Sequence, residues 1–312
     1  MNRFRGGRWF PMTANAGPDA TETDATDPAG ADAAGTDAAG THTDATGIDP
    51  ATPGATDTDD ELLLRTDGLT KRFGVFTAVD AVDLAVPEGE FRSIIGPNGA
   101  GKTTLFNLLS GALPVSEGSI HFRDEEITTL SPQARVHRGI GRSFQILNIF
   151  GELTVRENVR LAAQSVHHEE YNFFQSLFKP TDRYDAINDR TAAVLESVDL
   201  DGLAEEEADS LPYGAKRRLE IGMVLATDPE LVLFDEPTAG MSIEETGRTI
   251  DLIEEVLADR TLLLIEHDIE LVMELSDRIT VLNQGAVIAE GPPEAIAADE
   301  AVQKAYLGGM AE

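Results

Sequence analysis

The sequence predicts an α/β fold with a mixed, mainly parallel core sheet and an inserted α-helical subdomain. Three observations lead to this prediction. Strand-like apolar runs alternate with helical segments, which is the chain order that builds parallel sheets. A glycine-rich loop directly follows one strand and opens a helix. A mostly helical stretch, at about 147–228, lies between the first strands and the last ones.

The strands before the helical stretch are short and apolar. Residues 62–64 open a strand, and residues 79–86 alternate between apolar and polar side chains like a second strand. Residues 91–95 are typical of a short buried strand that leads into the glycine-rich loop, and residues 103–110 of the helix after it. Further strands are predicted at 231–234, 262–265 and 279–282.

The N-terminal segment differs in composition from the rest of the chain. Ala, Thr, Asp, Gly and Pro dominate it, and such a segment buries too little apolar surface to offset the entropy of ordering. We therefore predict a disordered acidic tail at 1–60, one folded domain at 61–308 and a short tail at 309–312. The early arginines are not followed by an apolar stretch, so no secretory signal is predicted.

Charge restricts the partners that the protein can have. The chain has 312 residues, 41% of them hydrophobic, and a formal net charge of −32. Such a surface repels phosphates, so nucleic acid is not expected as a partner. A negative excess of this size is typical of proteins from high-salt surroundings, where ions screen the self-repulsion. An ordinary acidic protein is the alternative.

Cysteines and long apolar segments are both absent from the sequence. Without cysteine there are no disulfides, thiolate metal sites or cysteine nucleophiles. The longest apolar runs, such as 262–265, fall far short of the roughly 18–20 residues that cross a bilayer. If the protein acts at a membrane, we expect another chain to span it.

The glycine-rich loop fits the pattern G-x-x-x-x-G-K-[ST]. Its residues are Gly96, Pro97, Asn98, Gly99, Ala100, Gly101, Lys102 and Thr103, with Thr104 directly after them. In this pattern the backbone N–H groups and the following helix N-terminus bind phosphate. Lys102 is expected to reach the β- and γ-phosphates, and the Thr103 hydroxyl to bind Mg²⁺. The sequence therefore predicts a nucleoside triphosphate site.

Two carboxylates follow the strand predicted at 231–234. Asp235 and Glu236 stand at its C-terminal end, which is where ligands bind in open parallel sheets. Asp235 is expected to hold Mg²⁺ through water, and Glu236 to orient and activate an attacking water. An acidic pair alone is usually a solvated strand end, but with the upstream phosphate loop it indicates an NTPase.

Three further features can be interpreted once the phosphate loop and the two carboxylates are taken as one site. His267 follows the next strand and could bind the γ-phosphate and hold the water, although a lone histidine is more often structural. Gln145 could be a mobile ligand of Mg²⁺ or water. The turn Leu211, Pro212, Tyr213, Gly214 and Ala215 opens a helix whose free N-terminus can bind an anion, although an ordinary helix cap is the alternative.

The order of these motifs resembles the nucleotide-binding subunit of an ABC transporter. The match covers about residues 61–308 and implies a RecA-like core with the helical subdomain inserted in it. It also implies that two ATPase subunits enclose two ATP molecules, so that the turn at Leu211 to Ala215 serves a partner's ATP. Phe73 matches the aromatic residue that stacks on adenine, and Val79 is expected to add a side contact. Glu236, His267, Gln145 and Lys102 match the catalytic residues, and Thr103, Gln145 and Asp235 the metal ligands.

A finer resemblance points to the ATPases of branched-chain amino acid importers. It is carried by Arg142-Ser143-Phe144-Gln145, Leu211-Pro212-Tyr213-Gly214, Ala239-Gly240-Met241, Ile265-Glu266-His267-Asp268 and Ala305-Tyr306-Leu307-Gly308. It implies two transmembrane permease subunits, a second ATPase subunit that is another chain or a copy of this one, and indirectly a solute-binding protein. It also implies a peripheral position on the cytoplasmic face of the cell membrane. ATPases of urea and short-chain amide importers are similar, so those solutes remain an alternative.

The chain departs from the family pattern at two places, and three rival functions remain as alternatives. The common signature Leu-Ser-Gly-Gly-Gln is Leu211 to Ala215 here, without its serine hydroxyl, and Ser242 stands where many relatives carry an acidic residue or Asn. A soluble ABC ATPase acting on nucleic acid or ribosomes usually has tandem cassettes, coiled-coil arms or zinc cysteines. The sequence shows none of these features. A P-loop GTPase would carry an Asn-Lys-x-Asp motif that reads guanine, and the sequence contains no such motif. A non-enzymatic ATP-binding module is disfavoured by Glu236 and His267.

Overall fold

The computed structural model describes residues 61–143, 149–166 and 181–308. Its strands are β1 (Leu62–Phe73), β2 (Phe76–Pro87), β3 (Phe91–Ile95), β4 (Glu117–Phe122), β5 (Glu125–Glu126), β6 (Ile140–Arg142), β7 (Leu231–Asp235), β8 (Thr261–Ile265), β9 (Arg278–Asn283) and β10 (Ala286–Gly291). Its helices are α1 (Lys102–Leu109), α2 (Pro132–Val136), α3 (Val155–Ser165), α4 (Thr181–Ser197), α5 (Tyr213–Ala226), α6 (Ile243–Val256), α7 (Ile269–Leu275), α8 (Pro293–Ala298) and α9 (Glu300–Gly308).

The core sheet has the strand order β10-β9-β3-β8-β7-β6. Its neighbours pair in parallel except β9 and β10, which are antiparallel. The predicted mixed, mainly parallel core sheet is therefore confirmed. Strands β3, β7, β8 and β9 agree with the predicted strands to within one residue at each end.

A second, antiparallel sheet holds the first two predicted strands. Its order is β2-β1-β4-β5, and β1 and β2 pair from Leu62 opposite Pro87 to Phe73 opposite Phe76. The sequence predicted these strands but not that they form a separate sheet. This sheet covers one face of the core sheet through a shared apolar cluster.

The core sheet is buried on both faces, as parallel strands usually are. Along β7, Leu231 and Leu233 point into the cluster shared with the antiparallel sheet, whereas Val232 and Phe234 point into the cluster formed by the helices. Successive side chains of a strand alternate between faces, so the four consecutive apolar residues of β7 contribute to both clusters. The strand thereby carries Asp235 to the end of a rigid, fully enclosed element.

The inserted helical subdomain lies in the chain between β6 and β7. Of the described residues there, α3, α4 and α5 pack together around one apolar cluster. Helix α3 begins at a capping box in which Thr154 and Glu157 exchange hydrogen bonds between side chain and backbone. None of the described helices is both long enough and apolar enough to span a membrane.

Candidate nucleotide-binding site

The phosphate loop connects the end of β3 to the start of α1, as predicted. Gly96 has φ +154°, and a Cβ there would lie 2.1 Å from the Leu282 carbonyl oxygen. Gly101 caps α1 with φ +102°, and a Cβ there would lie 2.4 Å from the Ala78 carbonyl oxygen. Both glycines are therefore required by close backbone approach as well as by conformation. They fix the loop against β9 and β2.

Lys102 lies folded over the loop. Its Nζ donates to the carbonyl oxygens of Gly96, at 2.7 Å, and Pro97, at 3.3 Å. Burial lowers the pKa of Lys102, and the carboxylates of Glu236 and Asp235 oppose that effect. The ammonium group thus stands between the loop and the two carboxylates, where a phosphate group would need a counter-charge.

Glu236 and His267 meet at the edge of the core sheet. Strands β7 and β8 pair in parallel with Asp235 opposite Ile265, so the residues after both strands emerge side by side. The Glu236 amide donates to the Ile265 carbonyl at 2.9 Å, and His267 Nε2 lies 2.6 Å from Glu236 Oε1. Glu236 has φ +51°, an uncommon conformation for a residue other than glycine. Strained backbone of this kind clusters at functional sites.

Asp235 is almost completely buried, with 1% of its side chain exposed. Its Oδ2 lies 3.5 Å from Arg142 Nη2, and its Oδ1 has no hydrogen-bond partner among the described residues. Burial raises the pKa of Asp235, and Arg142 opposes this effect. A buried carboxylate oxygen without a partner among the described residues, at the sheet edge from which the phosphate loop leads to α1, fits Mg²⁺, which binds few protein oxygens and keeps waters and phosphate ligands.

The two predicted adenine contacts have different surroundings. Phe73 ends β1 and is half-exposed, and Lys71 Nζ lies 5.1 Å from its ring centroid. The ring therefore has surface on which a base can stack. Val79 is completely buried in the core, so a side-chain contact with a nucleotide would require the core to open. Gln145 lies outside the described residues.

The turn before α5 opens a helix, as predicted. The helix begins at Tyr213, and its N-cap Pro212 provides no side-chain hydrogen bond. Leu211 and Ala215 are buried beneath the turn, while Tyr213 is half-exposed. The Tyr213 hydroxyl donates to the Ala239 carbonyl at 2.9 Å, so the start of α5 contacts the loop that follows Glu236.

Comparison with known proteins identifies the family. The model of the ABC transporter family matches residues 79–239, and that of the branched-chain amino acid ATP-binding cassette transporter matches residues 286–312. The chain belongs to the ATP-binding subunits of ABC transporters. It is an ATP-hydrolysing cassette, and the predicted fold class is confirmed.

Relatives of this ABC ATPase match over nearly their full length. The high-affinity branched-chain amino acid transport ATP-binding protein BraF of Pseudomonas aeruginosa is 43% identical over 79% of this chain and 98% of its own. LivG of Escherichia coli is 42% identical, also over 79% and 98%, and the probable LivG of Methanocaldococcus jannaschii 34% identical over 79% and 97%.

Solved structures of ATP-binding cassettes have the same fold. A nucleotide-free cassette from an ABC transporter superposes with a TM-score of 0.67 at 31% identity, covering 78% of this chain and 98% of its own. The ADP conformation of MJ1267, an ATP-binding cassette of an ABC transporter, gives a TM-score of 0.67 at 31% identity, covering 79% and 99%.

Sequence reasoning missed several side chains that shape this ABC ATPase site. Arg142 was noted as part of the family resemblance but given no role, and it contacts Asp235. Glu266 accepts hydrogen bonds from the backbone and hydroxyl of Thr238, and Arg217 donates to the Pro237 carbonyl at 2.9 Å. No local pattern signals the role of Arg142, because β6 has no strand signal of its own and the partner Asp235 follows only from the pairing of β6 with β7.

Proposed function

We propose that this chain hydrolyses ATP with Glu236 as the general base and thereby energises the uptake of branched-chain amino acids. The observation that carries the catalytic part is the 2.6 Å contact between Glu236 and His267 at the edge that also holds the phosphate loop. The uptake of branched-chain amino acids is inferred from the names of the relatives and from the family match at residues 286–312.

Each side chain of the site has a separate role in the proposed hydrolysis. Glu236 accepts a proton from the attacking water, and His267 holds the Glu236 carboxylate in position and can reach the γ-phosphate. Lys102 leaves its loop carbonyls to meet the β- and γ-phosphates. Thr103 and Asp235 would hold Mg²⁺, which supplies neutralising charge when bound. Phe73 offers a stacking face for adenine, and Gln145 stays a predicted mobile ligand.

The other subunits of the proposed transporter are a second ATPase, two permeases and a solute-binding protein. In our proposal the turn at Leu211 to Ala215 presents a helix N-terminus to ATP bound by a second ATPase subunit, which is a different chain or a copy of this one. Two permease subunits carry the solute, a solute-binding protein delivers it, and this chain lies at the cytoplasmic face of the membrane. Urea or a short-chain amide is the second candidate solute, since the site does not contact the solute.

Glu236→Gln tests the catalytic proposal. The amide keeps the shape of the side chain but cannot accept the proton, so we expect ATP affinity to change by less than about threefold and steady-state hydrolysis to fall by about 10²–10⁴-fold. Filter binding and phosphate release measure the two quantities. Glu270→Gln, at an exposed position three residues from His267, is the matched control and keeps wild-type turnover. Wild-type turnover in Glu236→Gln would exclude Glu236 as the base.

The solute is tested on the assembled transporter. The chain is purified with its permeases and reconstituted in vesicles, and ATP hydrolysis is measured with solute-binding protein loaded with leucine, urea or acetamide. Stimulation by the leucine-loaded protein supports the proposal. Stimulation by urea or acetamide alone would reassign the solute and leave the hydrolytic mechanism unchanged.

A further inference from the structure

One buried guanidinium connects the two halves of the nucleotide site. Arg142 is the last residue of β6, and only 10% of its side chain is exposed. Its Nη1 donates to Asn107 Oδ1 and to Ser110 Oγ, both at 2.7 Å. Its Nη2 lies 3.5 Å from Asp235 Oδ2. A single side chain of β6 therefore contacts the C-terminal end of α1 and the end of β7.

Each of these contacts fixes a part that the nucleotide needs. Asn107 lies in the last turn of α1, the helix that begins at the phosphate loop, and Ser110 caps its C-terminus. Asp235 ends the strand that precedes Glu236. A guanidinium is planar and holds several acceptors in a fixed geometry, whereas an ammonium on a flexible stem does not. Arg142 thus sets the position of Asp235 relative to α1.

The contacts of the Asp235 carboxylate are divided between its two oxygens. Oδ2 faces Arg142, and Oδ1 has no hydrogen-bond partner among the described residues. A carboxylate that is held through one oxygen presents the other in a defined direction. In a side chain that is 1% exposed, that second oxygen needs a ligand.

We propose that Arg142 is a positioning residue that orients Asp235 toward Mg²⁺ and keeps it in register with the phosphate-loop helix. The inference rests on the proposed role of Asp235 as the carboxylate that holds the metal. Arg142 itself contacts neither nucleotide nor metal in this scheme. Residues that orient a metal-binding side chain commonly change metal affinity by about 10–100-fold when they are replaced.

Arg142→Lys is the decisive variant. Lysine keeps the positive charge but cannot hold Asp235, Asn107 and Ser110 together, so any effect comes from lost geometry. We expect the affinity for Mn²⁺ in the presence of saturating ADP, measured by electron paramagnetic resonance, to fall about tenfold. ADP affinity in EDTA should stay within about twofold of wild type, which a damaged phosphate loop would not allow. Arg138→Lys, which alters a partly exposed arginine paired with Glu125, is the control and keeps wild-type Mn²⁺ affinity.

A double-mutant cycle with Asp235→Asn tests whether Arg142 acts through Asp235. If it does, Arg142→Lys changes Mn²⁺ affinity by less than about threefold in the Asp235→Asn background. Wild-type Mn²⁺ affinity in folded Arg142→Lys would overturn the proposal. So would a double variant whose loss of Mn²⁺ affinity equals the product of the two single-variant losses. ADP and Mn²⁺ binding do not depend on turnover, so a chain that binds both but fails to hydrolyse ATP would contradict the proposed function and leave this inference intact.

Discussion

Single residues show most directly how backbone conformation is used at the site. Gly96 has φ +154° and approaches the Leu282 carbonyl so closely that no other residue fits without displacement. Glu236 has φ +51° although it carries a full side chain. The first case permits the phosphate loop to lie on β9, and the second turns the carboxylate away from the line of β7 toward His267. Both residues directly follow a strand of the core sheet, Gly96 after β3 and Glu236 after β7.

Gly96→Ala is expected to destabilise the fold strongly. The added Cβ would lie 2.1 Å from a backbone oxygen, and we expect the free energy of unfolding to fall by about 3 kcal/mol in urea titrations. Gly89→Ala is the matched control, because Gly89 has φ +78° but nothing within 4 Å of an added Cβ. Gly89→Ala should lower the free energy of unfolding by only about 1–2 kcal/mol, because the positive φ is the only obstacle to its Cβ. Equal losses in both variants would contradict the close-approach argument.

The sequence was sufficient to predict the residues whose motifs are local. Lys102 and Asp235 could be placed because a strand, a loop and a helix follow one another within a few residues. The meeting of Glu236 with His267 required only that two parallel strands be neighbours. Arg142 could not be given a role in the same way, because its partners lie on two elements distant in the sequence, Asn107 and Ser110 at the end of α1 and Asp235 at the end of β7.

At the scale of elements, α1 is held at both ends. Its N-terminus opens on the phosphate loop, and its C-terminus lies against Arg135 of α2. The Arg135 guanidinium donates to the carbonyl oxygens of Leu108 and Leu109, both at 2.7 Å, and to two more at Ile127 and Thr128. Burial lowers the pKa of Arg135 to about 10, so the group stays charged at neutral pH. A cation at a helix C-terminus also complements the helix dipole.

Arg135→Met removes this anchor. Four carbonyls lose a charged donor inside the fold, and we expect the free energy of unfolding to fall by about 2–4 kcal/mol. Arg138→Met, three residues on, breaks a partly exposed ion pair with Glu125 and should cost less than about 1 kcal/mol. Urea denaturation of both variants measures the difference. A loss below about 1 kcal/mol in Arg135→Met would show that α1 does not depend on this contact.

Elements with weak local signals were not predicted. Strand β6 has three residues, one of them Gly141, and is a strand because it pairs with β7. Strand β5 has two residues, and β10 is only partly buried, so neither has a strong apolar pattern. For such strands the hydrogen bonds of a neighbour decide the structure, and sequence periodicity does not contain that information.

At the scale of the whole molecule, the net charge of −32 opposes compaction. Raising KCl from 0.1 to 1 M shortens the screening length from about 10 to about 3 Å, so the melting temperature should rise by several degrees. The rise should be steepest at low salt and then level off, as the screening length does. Thermal melts across this range measure it. A melting temperature that stays flat or falls would indicate that the surface charges are already balanced locally.

The position of β3 has a consequence for the order in which the protein is made. This strand leads into the phosphate loop, yet both of its neighbours, β8 and β9, come from beyond residue 260. A ribosome that has released the N-terminal half of the chain has therefore exposed an apolar strand with no partner for either edge. The ATP site cannot be completed until nearly the last strand has been synthesised, and until then the nascent chain presents a surface for chaperones to cover.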